Sequence, residues 1–183
     1  PSCARPSCAG PSRARPGHRS VSAVRPRLLR LAHRGAAVGE GSGYGITKDH
    51  PVAIYFKREL DMCIENMKKL RKRGLRILPG GDYGFAWNPI GTNARDIEHF
   101  VKLLDYKPMD AIIAATKLGG EIMGMGEELG QIKAGYLADV LLVDGNPLSD
   151  VSMLRDKDRL LAIMKDGAFH KEPRKRTKAH QVA

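Results

Sequence analysis

The sequence predicts an α/β fold in two unequal parts, an α–β–α–α succession followed by a small antiparallel β unit. Three observations carry this. A helical period between Phe56 and Arg73 runs into the short extended stretch Leu75–Leu78, two further helical stripes follow, and beyond residue 128 the pattern turns to short extended runs separated by turn residues.

In the first element Leu60, Cys63, Ile64, Met67 and Leu70 recur at three- and four-residue steps, with Glu and Lys on the other face, so an amphipathic helix is predicted over 56–73. Gly74 is placed to end it. Leu75-Arg76-Ile77-Leu78 reads as a strand entering Pro79-Gly80-Gly81-Asp82-Tyr83-Gly84, where glycine permits a sharp turn and close backbone approach. Thr92 or Asn93 can cap a second helix with the stripe Ile97, Phe100, Val101 and Leu104. A third starts at Pro108, which suits a first helical turn, and is expected to carry Met109, Ile112, Ile113 and Thr116 inward until Gly119-Gly120 weakens it. Ala138–Val143 reads as a buried strand closed by the turn residues Asp144–Pro147. Leu160–Met164, the Asp166-Gly167 turn and Ala168–His170 read as a β-hairpin. No internal repeat is visible.

The formal net charge of +11 over 183 residues suggests at first a protein that seeks nucleic acid or an anionic surface. Resolved along the chain, it does not. Residues 1–40 carry seven net positive charges, all from arginine, and residues 171–183 carry four, which accounts for the whole excess. The stretch 41–170 is neutral, as in an ordinary soluble domain. The first 40 residues are rich in Pro, Arg, Ser, Ala and Gly and cannot bury enough to offset their chain entropy. A transit peptide, a phosphate-holding arm and an artefactual or truncated start compete there, and the last is the expectation. The basic tail with Arg174-Lys175-Arg176 reads as a solvated terminus.

Length and composition exclude further classes. A complete (β/α)8 barrel takes roughly 200 residues or more, so the 130 or so patterned residues are too few for one. No apolar run reaches the roughly 18 residues that cross a bilayer. Cys3, Cys8 and Cys63 match neither a zinc site nor a disulfide scaffold and read as thiols in a reducing compartment, with the cytoplasm favoured. Six histidines, His18, His33, His50, His99, His170 and His180, show no ligand spacing, and His99 beside Phe100 reads as a packing or surface residue. No nucleophile elbow, P-loop or dinucleotide fingerprint is present.

What remains is Asp82 at the end of the Leu75–Leu78 strand. A carboxylate there can face a site above the strand's carboxyl end. It can equally complete a turn, since Gly-Asp-x-Gly is ordinary turn chemistry, and spacing alone favours the turn. Tyr83, Phe85 and Trp87 cluster in the same loop, where they can line a substrate pocket or pack against their own domain.

These residues resemble the carboxyl-terminal part of the metal-dependent amidohydrolase superfamily, in its imidazolonepropionase-like and prolidase-like branch. Gly80–Gly84 is similar to the end of the family's eighth barrel strand, Thr92–Asp96 to the start of the helix after it, and Pro108–Thr116 to the next helix. Leu129–Asp144 resembles the family's return into a small β-sandwich, and Ile163–Gly167 its final hairpin. The resemblance covers about residues 46–172. It implies an α/β fold that is the C-terminal fragment of a (β/α)8 amidohydrolase barrel, plus part of a β-sandwich. The implied boundaries are 1–45 for the basic leader or artefactual start, 46–128 for the last barrel portion, 129–172 for the sandwich strands and 173–183 for the tail.

The resemblance also implies chemistry. Family members use one or two divalent metals, usually zinc, to polarise a carbonyl and activate water. The strand-eight aspartate contacts metal or its water and moves the proton to the leaving amine, a role that falls on Asp82. The family's remaining ligands, a His-x-His pair, a lysine or acid and two further histidines, have no counterpart in this sequence. A hydrolase of small amide or dipeptide substrates is therefore expected as a fragment, with Asp82 its one metal-site residue, without bound metal and inactive alone. The competing classes are a nucleic-acid-binding protein using the Arg-rich start and basic tail, and a non-catalytic interaction module. No membrane partner is expected, nucleic acid ranks behind a small substrate, and the oligomeric state is not legible.

Overall fold

In the computed structural model residues 49–81, 83–84 and 88–173 are described. The first helix, α1, spans Pro51–Lys72, starting earlier than the apolar stripe alone predicts. Proline occupies its first turn, and the His50 side chain accepts a hydrogen bond from the Val52 N–H at 3.2 Å, so the cap lies upstream of the stripe. Gly74 follows the helix with φ of 80°, as its end requires. The stripe Leu60, Cys63, Ile64, Met67 and Leu70 packs against a core of Ile77, Phe100, Leu104, Tyr106, Ala111 and Ala114.

Residues 75–81 carry no regular secondary structure, with Ile77 and Leu78 buried, and 75–78 join no ladder, so the expected strand is not formed. A strand of a parallel sheet needs neighbours on its edges, and the described residues supply none.

The second helix, α2, spans Arg95–Leu104, and neither Thr92 nor Asn93 caps it with a side chain. The Thr92 hydroxyl donates instead to the Pro89 carbonyl at 2.8 Å. Turn bonds from the Arg95, Asp96 and Ile97 N–H groups to the carbonyls of Thr92, Asn93 and Ala94 lead into the helix. Asp105, at φ of 56°, ends it. Arg71 of α1 closes this corner: its guanidinium lies 3.8 Å from the Tyr106 ring centroid, donates to the Asp105 carbonyl at 2.9 Å and pairs with Asp110.

The third helix, α3, spans Pro108–Ala115 with proline at its start, as expected. Its inward residues are Ala111 and Ala114, whereas Met109, Ile113 and Thr116 are exposed and Ile112 is half-buried. Small side chains let α3 lie close on α2, which turns the larger ones outward. The break comes at Thr116 rather than at Gly119-Gly120, which lie within a short α4, Lys117–Ile122. Gly130 presses on that break, where an added Cβ would sit 2.3 Å from the Thr116 carbonyl oxygen.

Three strands, β1 (Val140–Val143), β2 (Leu160–Lys165) and β3 (Ala168–Lys171), form an antiparallel sheet in the order β1-β2-β3. The hairpin stands as expected, with Asp166 and Gly167 at φ of 50° and 78° in the turn. β1 is shorter and more exposed than the buried strand expected over 138–143. Ala138 and Asp139 serve the hairpin turn instead: the Asp139 carboxylate accepts from Lys165 Nζ at 2.9 Å and from the Asp166 N–H at 2.8 Å. Leu141 and Leu142 are 54% and 51% exposed because the described residues hold no second layer over them.

Between β1 and β2 a 3-10 helix, Val151–Arg155, buries Val151 and Met153 and packs on α2. An ion pair ties the two: Glu98 of α2, 7% exposed, accepts from Arg155 Nη1 at 2.6 Å and from Lys102 Nζ at 2.5 Å. No helix among the described residues is long and apolar enough to cross a membrane. The Arg-rich start, Cys3, Cys8 and the basic cluster at 174–176 lie outside the described residues.

Candidate active site

The candidate site is the loop that follows residues 75–81. Asp82, Phe85 and Trp87 lie outside the described residues, while Gly81, Tyr83, Gly84 and Asn88 lie within them. Asn88 is fully buried, and its side-chain amide donates to the Gly81 carbonyl at 2.6 Å, while its backbone carbonyl accepts from the Gly84 N–H at 2.9 Å. One buried residue thereby fastens the loop across its base, and the low-dielectric surroundings make its side-chain bond costly to lose.

Tyr83 is held from the side of α2. Its hydroxyl donates to Asp96 Oδ1 at 2.5 Å. A Cβ at position 81 would lie 2.5 Å from the Tyr83 ring, so this packing requires glycine there. Burial drives the Asp96 carboxyl up to about 6, against the opposing bond from Tyr83 and the charge of Arg95. Burial, with the bond to Asp96, also raises the Tyr83 phenol above its ordinary value, so it stays protonated and donates. His99, on the same helix, is pushed down to about 4 chiefly by burial, so its imidazole is neutral and part of the packing.

Of the residues expected to wall a pocket, Tyr83 borders an open, mainly apolar groove of about 660 Å3 with Leu78, Ile97, Ala114 and Met123. Asn88 and Asp96 did not stand out in the sequence as loop anchors. For Asp96 a signal exists: it lies four residues before Phe100 and eight before Leu104, on the face those two bury. Asn88 carries no such periodicity.

Among the described residues no three His, Cys, Asp or Glu side chains come together as a metal-ligand set. These residues by themselves do not fit a catalytic metal, and no step through one is derived from them.

An irregular segment ending in a glycine loop, anchored on the following helix and succeeded by a small antiparallel sheet, defines an α/β protein of the kind that carries function on such loops. Residues 46–169 match the model of the amidohydrolase family, and the chain belongs to that family. It is 26% identical to the imidazolonepropionase of Aeromonas hydrophila over 140 residues, 76% of this chain and 31% of that protein. With the ochratoxinase of Aspergillus niger the identity is 31% over 103 residues, 56% of this chain and 21% of the relative. Among solved structures, a putative prolidase from Bifidobacterium longum superposes with a TM-score of 0.65 at 23% identity, covering 82% of this chain and 36% of that one. A Xaa-Pro dipeptidase with bound methionine superposes at 0.59 with 26% identity, covering 78% and 33%. The chain thus spans about a third or less of the length of these relatives.

Proposed function

We propose that this chain is the carboxyl-terminal portion of a metal-dependent hydrolase that cleaves amide or peptide C–N bonds in small substrates. The observation that carries the reading is the family match across residues 46–169, which includes the glycine loop. The names of the relatives, imidazolonepropionase and Xaa-Pro dipeptidase, support the substrate class. Residues 46–128 are assigned to the last part of a (β/α)8 barrel and 129–172 to strands of a composite β-sandwich.

Asp82 is the proposed catalytic carboxylate and proton carrier, and a ligand to a divalent metal such as zinc only together with groups outside the described residues. Tyr83, Phe85 and Trp87 are the proposed pocket wall. The unpaired segment 75–78 and the exposed apolar sheet residues support a further part of the reading, that the chain alone is inactive.

Zinc content and hydrolysis of N-acyl amino acids and dipeptides by the purified chain test this. Less than stoichiometric zinc and no turnover are expected; one zinc per chain with turnover would overturn the inactivity. Grafted in place of the matching part of an imidazolonepropionase relative, residues 46–172 should support hydrolysis, and Asp82→Asn should lower it by about 100-fold or more. A graft that hydrolyses substrate equally well with Asp82→Asn removes Asp82 from the reaction.

A further inference from the structure

Two buried polar side chains hold the residues on either side of position 82. Asn88, fully buried, donates from its side-chain amide to the Gly81 carbonyl at 2.6 Å, and its backbone carbonyl accepts from the Gly84 N–H at 2.9 Å. Asp96 of α2, 2% exposed, accepts from the Tyr83 hydroxyl at 2.5 Å. Burying a polar side chain is costly unless it is bonded, and among the described residues Asn88, Asp96 and Glu98 are the buried polar or charged ones. Glu98 ties α2 to the 3-10 helix, whereas the Asn88 and Asp96 bonds go to residues 81 and 83.

The loop needs such holds. Glycine at 80, 81 and 84 gives its backbone more freedom than any other residue would, and residues 75–78 before it join no ladder. Consecutive Cα atoms stand about 3.8 Å apart across trans peptides, so holding residues 81 and 83 confines the Cα of residue 82 to a narrow arc. The bond on the Gly81 carbonyl also sets the peptide plane that enters residue 82. Glycine at 81 belongs to the same device, because a Cβ there would stand 2.5 Å from the Tyr83 ring and push it from its place against Asp96.

We propose that Asn88 and Asp96 are positioning residues for Asp82, Asn88 acting through the Gly81 carbonyl and Asp96 through the Tyr83 hydroxyl. Tyr83 is then a brace between α2 and the loop, its hydroxyl committed to Asp96 while its ring borders the groove. The consequence for hydrolysis rests on the proposed hydrolase, in which misplacing a reacting group by about 1 Å costs roughly 100-fold in rate. The positioning itself is read in the chain alone.

The full chain, labelled with nitrogen-15, gives the first readout, the order parameter of the Asp82 amide from NMR relaxation. About 0.85 is expected in wild type and below about 0.6 in Asn88→Ala, Asp96→Ala and Tyr83→Phe, with the amides of α3 unchanged. Asp96→Asn, whose side-chain oxygen still accepts from Tyr83, should keep the wild-type value. In the graft of residues 46–172, Tyr83→Phe and Asp96→Ala should each lower kcat about tenfold or more with KM within about threefold, and Asp96→Asn should keep kcat within about threefold of wild type. The pair Tyr83→Phe/Asp96→Ala should do no worse than the lower single variant, since both remove one bond. A wild-type Asp82 amide below about 0.6, or one indifferent to Asp96→Ala and Tyr83→Phe, overturns the inference. So does a graft that loses turnover with Asp82→Asn and keeps it with Asp96→Ala. A wild-type graft without turnover, beside an Asp82 that is held in the full chain and released by the variants, overturns the hydrolase and supports the positioning. Tyr83→Phe removes a single hydroxyl and decides the matter where Asn88→Ala fails to fold.

Discussion

Replacing Glu98 by glutamine tests how the sheet is tied to the helices. The carboxylate is buried and receives two charged donors, Lys102 Nζ at 2.5 Å and Arg155 Nη1 at 2.6 Å. Both donors sit in water, with side chains 66% and 47% exposed, so each can rehydrate when the charge is removed. The Lys102 pair is an i,i+4 contact whose lysine is exposed, worth about 0.5 kcal/mol. The Arg155 bond, to a buried acceptor, contributes about 1 kcal/mol net. Glu98→Gln should therefore destabilise the chain by about 1.5 kcal/mol at pH 7, read by urea unfolding. A cycle with Arg155→Ala should give a coupling energy of at least about 0.5 kcal/mol. Burial raises the Glu98 carboxyl, but the bonds from Lys102 and Arg155 outweigh it and hold the group below its ordinary 4.5. A depressed folded-state value means stabilisation present above 4.5 and lost as pH falls through the folded value. The difference between wild type and Glu98→Gln should shrink accordingly in acid. A coupling energy of zero, or a difference that does not change between pH 7 and strongly acidic solution, refutes the reasoning.

Asp96, two residues away, should respond with the opposite sign. Its carboxyl is raised from 3.8 to about 6, so its contribution is complete below 3.8 and lost as pH rises through 6, by at most about 3 kcal/mol. Urea midpoints for Asp96→Asn should accordingly show less loss of stability between pH 4 and 7 than wild type does. Gly130→Ala should destabilise by about 1–3 kcal/mol more than Gly135→Ala, measured by thermal unfolding. Both glycines have φ near 83°, but only at Gly130 does the added Cβ meet backbone, while at Gly135 nothing lies within 4 Å.

The elements most legible in the sequence are those whose signals are local. Pro108 at a helix start, Gly74 after α1 and the Asp166-Gly167 turn each restrict their own backbone, and each stands where expected. Thr92 fails as a cap because the helix begins at Arg95 with Ala94 at the cap position, two residues beyond it, an offset that periodicity does not reveal. The anchoring of the candidate loop was hidden for a related reason. Asn88 and Asp96 matter through partners seven and thirteen residues away, at Gly81 and Tyr83, and such pairings follow from how the loop folds back.

The apolar residues that stand exposed share one cause, and it bears on function. Met109, Ile113, Leu141 and Leu142 were expected to be covered and are exposed, and the Leu75–Leu78 segment has a strand's composition without a strand's partners. Apolar side chains at helical or strand spacing report the surface a chain is built to cover, and in a self-sufficient domain that surface is covered from within. Here the described residues leave it open on the sheet and along the unpaired segment. An apolar excess of this kind marks surfaces that other polypeptide covers.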